Sequence, residues 1–239
     1  MKSSYYKYFA ALLLFGSNGI VASNINLPSY EIVLLRLLLG SLFLITVFTV
    51  SRQRFTFYRN KHTCLYLFIS ASAMGASWML LYEAYQQVGI SIASLAYYCG
   101  PVIVMILSPF LFRETLTWPK IAGFLTVLAG MCLVNLQALD EGKTIWGLFC
   151  GLMSAFMYAL MVTANKKAKP ESGLENSLLQ LVIGSFIVVA FVSMQKNFVL
   201  SLTTIDWIPV LLLGLLNTGI GCYLYFSSIT DLPVQTVAI

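Results

Sequence analysis

One histidine, nine acidic residues and a charged fraction of 10% are very little for a chain of 239 residues. Soluble domains place charge on about a quarter of their residues, so the shortage excludes a soluble domain of any size. The lone histidine, His62, lies in a basic loop with no companion for a metal site. The five cysteines (Cys64, Cys99, Cys132, Cys150, Cys222) sit in apolar segments without CxxC spacing. They read as small buried hydrophobes, neither disulfides nor ligands. The phosphate-cradling glycine loop is missing, which excludes ATP-driven transport within this chain and leaves no cofactor to expect. Serine–histidine–acid sets and clustered intramembrane acids are missing too, so an enzyme acting on lipids is the weaker alternative.

What the chain has in excess is apolar residues, 59% of the total, with a mean hydropathy of +0.85. They fall in runs at 5–23, 29–50, 63–86, 91–112, 119–138, 145–165, 174–194 and 206–229, and a ninth begins at Pro233. Each is close to the roughly 20 residues that cross a bilayer. The chain therefore reads as an all-α polytopic membrane protein of about eight full spans and the start of another. The first run is followed by more spans and lacks a clear cleavage site, so it reads as a retained helix.

Charge placement gives an orientation. With the N-terminus inside, the inner loops hold Lys2, Lys7, Arg52, Arg54, Arg59, Lys61, Arg113, Lys120, Lys166, Lys167 and Lys169, and the outer loops only Lys143 and Lys196. That follows the positive-inside rule, with a cytoplasmic N-terminus in a bacterial plasma membrane. The net charge of +5 is accounted for by anionic lipid headgroups, without nucleic acid.

The chain also repeats itself. Ser29–Ser41 (SYEIVLLRLLLGS) aligns with Gly173–Ser185 (GLENSLLQLVIGS) at a shift of 144, matching Glu31, Gly40 and Ser41 to Glu175, Gly184 and Ser185. Tyr82–Ala96 aligns with Leu224–Ala238 at a shift of 142. Two modules, 1–139 and 144–239, meet at the polar link Asp140–Lys143. Five spans in the first put the second upside down in the bilayer, the arrangement of many carriers. At this period a ninth helix is expected to reach about 254 and a tenth about 280. The second module is thus incomplete, and a truncated, non-transporting fragment is an alternative reading.

These residues resemble the EamA-type transporters of the drug/metabolite transporter superfamily. Gly16-Ser17-Asn18 is similar to the family's pattern in the first helix, with Phe15 in the place of its tryptophan. Arg36 within LLRLLLGSL resembles the second helix. The segment from Ala84 to Met131, with Pro101, then Glu114 to Thr117, then Gly123 and Gly130, is the strongest likeness. Ser154–Leu160 and Leu212–Phe226 look like helices six and eight. The resemblance implies ten helices, a central cavity between inverted halves, and import or export of small metabolites such as amino acids or amines.

Candidate site residues come from what a membrane makes costly. Arg36 and Glu83 are intramembrane charges at similar depth on neighbouring helices, expected to pair or to share an aqueous cavity; snorkelling to the headgroups is the alternative. Glu83 is the acid best placed for proton coupling. Trp78, Tyr82 and Tyr85 recur at i, i+4 and i+7, and Trp78 and Tyr82 are candidates to stack on a substrate, as is Tyr98. Asn18 and Asn217 must find partners inside apolar runs, either each other's helices or a substrate. Gly100 and Pro101 mark either a gating hinge or a static kink. Gly123 and Gly130, with Ala122 and Ala129, are expected to pack closely on another helix. The expected partners are a small-molecule substrate, the lipid bilayer and, as a candidate, a second copy of the chain.

Overall fold

The first element formed is an interrupted helix, α1 (Lys2–Gly16) and α2 (Asn18–Ala22), separated at Ser17. In the computed structural model, which describes residues 2–22, 24–25, 27–115, 117–135, 145–194 and 207–238, every regular element is helical. The others are α3 (Ser29–Val50), a 3-10 turn (Phe57–Arg59), α4 (Lys61–Tyr97), α5 (Cys99–Phe112), α6 (Trp118–Asn135), α7 (Ile145–Ala168) and α8 (Gly173–Ser193). The chain then continues through α9 (Trp207–Leu211), a π-helical segment (Leu212–Ile220), α10 (Gly221–Ile229) and α11 (Val234–Ala238).

Among the described residues five helical segments are long and apolar enough to cross a membrane: Tyr30–Val50, Lys61–Phe112, Ile145–Ala168, Gly173–Ser193 and Trp207–Ile229. The second has 52 residues and covers two of the predicted runs. Gly89 divides them, with φ 78° and ψ 162°, a backbone region that only glycine enters at little cost. The inter-module link Asp140–Lys143 and the outer lysine Lys196 lie outside the described residues.

The chain forms two compact units, residues 1–75 with 164–232 and residues 76–163 with 233–239. In the first, α3 and α8 pack side by side. Leu37, Leu44, Leu178, Leu181 and Val188 are buried, while Leu38, Leu42, Ile45, Phe186 and Val189 are exposed. Apolar residues outside and polar ones inside is the pattern a lipid environment selects. Buried amides and hydroxyls are duly paired. Asn165 and Asn176 exchange hydrogen bonds of 2.9 and 3.1 Å, and Gln180 Nε2 donates to Ser70 Oγ at 2.9 Å. The helices approach closely at Gly75, where a Cβ would lie 2.9 Å from the Gly184 carbonyl oxygen.

The start of α8 carries a serine-x-x-glutamate capping sequence, and Ser172 Oγ accepts from the Glu175 N–H at 3.4 Å. The Glu175 carboxylate is used elsewhere. It accepts from the N–H groups of Thr56 (2.6 Å) and Phe57 (2.9 Å) and from Thr56 Oγ1 (2.6 Å). This ties the basic loop after α3 to the beginning of α8. Thr63 Oγ1 donates to the Ala168 carbonyl oxygen, at the end of α7, at 3.0 Å.

The second unit is built on Leu81, Ala84, Val88, Ile92, Ala93 and Cys150. Here Ser77 and Ser154 each donate a hydroxyl to the other's backbone carbonyl, at 2.9 and 2.7 Å, which locks α4 to α7. Glu114 accepts from the N–H groups of Val234 (2.7 Å) and Gln235 (3.1 Å), so this acid caps α11. Pro101 lies in the first turn of α5, just after the break between α4 and α5 at Tyr98, and the proline further inside that helix is Pro109. One expectation needs correction. Ala122 and Ala129 are exposed, and a Cβ at Gly123 or Gly130 would meet nothing within 4 Å among the described residues. The small face of α6 therefore packs on no described helix.

Candidate transport site

Two irregular backbones meet in the first unit. The break at Ser17 separates α1 from α2, and the π-helical segment inserts an extra residue per turn into the last long span. Asn217, 2% exposed, points its amide at that break. Its Nδ2 lies 2.9 Å from the Leu14 carbonyl oxygen, from Ser17 Oγ and from Asn18 Oδ1. Two amide hydrogens serve three acceptors, so one of these bonds is always shared.

The next residue faces another helix. Thr218 Oγ1 donates to the Leu213 carbonyl oxygen at 2.8 Å, five residues back, and accepts from Arg36 Nε at 2.9 Å. Arg36 reaches it because α3 and the π segment approach within glycine distance. A Cβ on Gly40 would meet Thr218 Cγ2 at 3.0 Å and the Gly214 carbonyl oxygen at 3.2 Å. Arg36 is 6% exposed. It turns into the unit, and the snorkelling alternative does not describe it. Three of the predicted residues, Asn18, Arg36 and Asn217, thus belong to one polar run completed by Ser17 and Thr218, buried at Arg36, Asn217 and Thr218 and half-buried at Ser17 and Asn18.

The other predicted residues lie in the second unit. Glu83 is half-buried on α4, and its Oε1 accepts from Gln87 Nε2 at 3.2 Å and from Trp146 Nε1 at 3.3 Å. Arg36 and Glu83 therefore each have hydrogen-bond partners within their own unit. Tyr82 meets Tyr85 edge to face with centroids 5.3 Å apart. Tyr98, at the junction of α4 and α5, meets Tyr97 at 6.0 Å, and Tyr97 meets Tyr158 at 5.5 Å. Trp78 is half-buried on the same helix. α5 and α7 approach closely at Gly100, where a Cβ would lie 2.8 Å from Tyr158 Cδ1 and 3.0 Å from the Ala155 carbonyl oxygen.

Sequence reasoning missed Thr218, Gln87 and Trp146, and named Ser17 only within the Gly16-Ser17-Asn18 likeness. Trp146 is separated from Glu83 by 63 positions, and no local pattern links them. Thr218 had a usable signal: a hydroxyl directly after an intramembrane asparagine.

The family model for the EamA-like transporter family matches residues 3–136 and 145–239. An uncharacterized transporter of Bacillus subtilis, YxxF, is 26% identical over 98% of this chain, which spans 75% of that protein. The biotin transporter of Salmonella typhimurium is 22% identical over 75% of this chain and 61% of its own length. A solved crystal structure superposes on all of this chain and 83% of its own with a TM-score of 0.82 at 18% identity, a likeness of fold. The chain belongs to the EamA-like transporter family, and is thus an integral, multi-pass membrane transporter for a small molecule rather than an enzyme.

Proposed function

We propose that the chain is a secondary carrier of small organic metabolites that works by alternating access between two inverted repeats, 1–139 and 144–239. The observation that carries this reading is the hydrogen bond of 3.0 Å between Ser41 Oγ and Ser185 Oγ, residues 144 apart. These two serines are the same position of the repeat. A residue touches its own counterpart only near a two-fold axis. The antiparallel setting of α3 and α8, with Glu175 at the start of one holding the loop after the other, supports an axis across the helices. In this reading the axis lies in the membrane plane and inverts one module relative to the other. The glycine contacts support the same symmetry. Gly40 rests on Gly214 and Thr218, while Gly184 rests on Ala71 and Gly75, each 143 positions earlier.

In this reading Asn18, Arg36 and Asn217 contribute the polar side of the substrate path. Interrupted and π-helical backbones there leave carbonyls available to a substrate. In the second unit, taken by itself, Trp78, Tyr82 and Tyr98 are candidates to stack on a substrate, Gly100 and Pro101 are the candidate hinge at the start of α5, and the N-terminus is cytoplasmic. Glu83, which accepts from Gln87 and Trp146, is the acid that couples transport to protons in this reading. The relatives named as biotin transporters support a small organic metabolite as cargo.

The test is transport into proteoliposomes from a panel of amino acids, amines and small carboxylates, under an imposed proton gradient. Wild-type protein is expected to accumulate at least one compound, and Glu83→Gln to lose accumulation while keeping exchange of labelled for unlabelled substrate. Equal loss of both would assign Glu83 a structural role. Failure of every compound to enter faster than into protein-free liposomes would refute the carrier reading.

A further inference from the structure

The loop between α3 and α4, residues 51–60, lies where one membrane-crossing helix ends and the next begins. It therefore stands at the headgroup level of one leaflet. Between Arg52 and Lys61 the chain holds four cations (Arg52, Arg54, Arg59, Lys61) and no acid. All four are exposed, as are Phe55 at 40% and Tyr58 at 64%. Val50 and Leu65, exposed on the adjoining helix ends, continue this surface as an apolar one. Cations interleaved with exposed rings, next to an apolar flank, suit the boundary where phosphate meets acyl chain.

A string of cations on a free loop would only follow the charge of a membrane. This loop is instead held in one shape. Glu175 takes the N–H groups of Thr56 and Phe57 on one carboxylate oxygen and the Thr56 hydroxyl on the other. Phe55 stacks on Phe48 of α3 with centroids 4.6 Å apart and meets Phe57 edge to face at 5.9 Å. The Arg59 N–H donates to the Thr56 carbonyl oxygen at 3.0 Å, and Asn60 Oδ1 accepts from the His62 N–H at 2.9 Å, capping α4. Gln53 Oε1 accepts from Ser172 Oγ at 3.0 Å. None of these anchors uses a cationic side chain. The carboxylate that approaches the loop is taken up by its backbone and a hydroxyl, so the shape is fixed without spending the charge.

We propose that this loop is a preformed binding site for the phosphate headgroup of an anionic phospholipid. The four cations supply the charge, and the exposed rings supply the contact with lipid. Preorganisation is the point of the proposal: a loop already ordered loses little freedom when the headgroup binds. The site concerns the protein's surface and not its cargo, and it stands whether or not Glu83 carries protons.

The experiment measures lipid binding to the purified full chain in mild detergent by native mass spectrometry. Dioleoylphosphatidylglycerol is titrated, with dioleoylphosphatidylcholine as the comparison of no net charge. Phosphatidylglycerol is expected to bind saturably and about tenfold or more tightly than phosphatidylcholine. Arg54→Gln combined with Arg59→Gln, both at exposed positions, should weaken it by about tenfold or more, since each basic side chain at an anionic surface contributes roughly fivefold. Arg113→Gln, a cation at the end of α5 and outside the loop, should change it by less than about twofold. Glu175→Ala separates shape from charge. It makes the chain more positive, so charge alone would tighten binding, whereas loss of the anchors should weaken it by about threefold or more. The proposal is overturned if the two lipids bind alike, if the paired arginine variant matches wild type, or if Arg113→Gln weakens binding as much as the pair. It is equally overturned if Glu175→Ala binds as tightly as wild type or more so. Displacement of the lipid by millimolar inorganic phosphate would assign the site to a soluble ion and overturn it as well. Should Glu175→Ala fail to fold, the paired arginine variant decides the case by itself.

Discussion

Glu175 provides the most direct test of how the first unit is held together. Its carboxylate is 1% exposed and takes three donors from the basic loop, two N–H groups and one hydroxyl at 2.6–2.9 Å. Glu175→Ala leaves all three without an acceptor. A hydrogen bond to a charged group contributes about 1.5–3 kcal/mol, but water reaches the half-buried Thr56 and Phe57, so roughly 2–3 kcal/mol is the expected net loss. That loss weakens the local attachment of the loop, not the whole fold. Arg52, Arg54, Arg59 and Lys61 are exposed there, which makes trypsin a suitable reporter. When opening is fast, cleavage follows the open population, and each ~1.4 kcal/mol is tenfold. Cleavage between residues 52 and 61, mapped by mass spectrometry on detergent-solubilised protein, is therefore expected to accelerate roughly 30- to 150-fold. Glu175→Gln, which keeps one acceptor oxygen, should fall between the two. If Glu175→Ala is cut within about threefold of the wild-type rate, the carboxylate is not what holds the loop, and the antiparallel pairing of α3 with α8 loses one of its supports.

Two further outcomes separate packing glycines from idle ones and test the buried amide. Gly75→Ala forces a methyl against the Gly184 backbone and should cost about 1–3 kcal/mol. Gly123→Ala has open space among the described residues and should stabilise α6 by up to about 1 kcal/mol; thermal unfolding in detergent measures both, and equal midpoints would contradict the contrast. Asn217→Leu removes the donor shared by the break at Ser17 and should destabilise by about 1–3 kcal/mol in the same assay, whereas an unchanged midpoint would mean that the α1–α2 junction does not depend on it.

Much of the architecture follows from the one-dimensional pattern. Helix, membrane and spacing are set locally, because a bilayer leaves the backbone no solvent and demands about 20 apolar residues per crossing. The run boundaries near residue 89 were visible for the same reason, since Gly89 sits between two apolar stretches. The proposed repeat is likewise read from sequence, through Glu31, Gly40 and Ser41 and their counterparts. What the sequence could not state is which residues meet. Ser41 finds Ser185, Arg36 finds Thr218, and Glu83 finds Trp146 across 144, 182 and 63 positions. Those pairings depend on how closely helices approach, and that is decided by where glycines face one another. Gly123 and Gly130 offered the same small residues as Gly40 and Gly184, yet only the latter two face a described neighbour. Composition and periodicity determined that this is a helical, multi-pass membrane protein, and the family match made it a transporter. Only the tertiary structure decided that its buried polar groups divide between two units, because side-chain partnership is a property of helix contacts and not of any single helix.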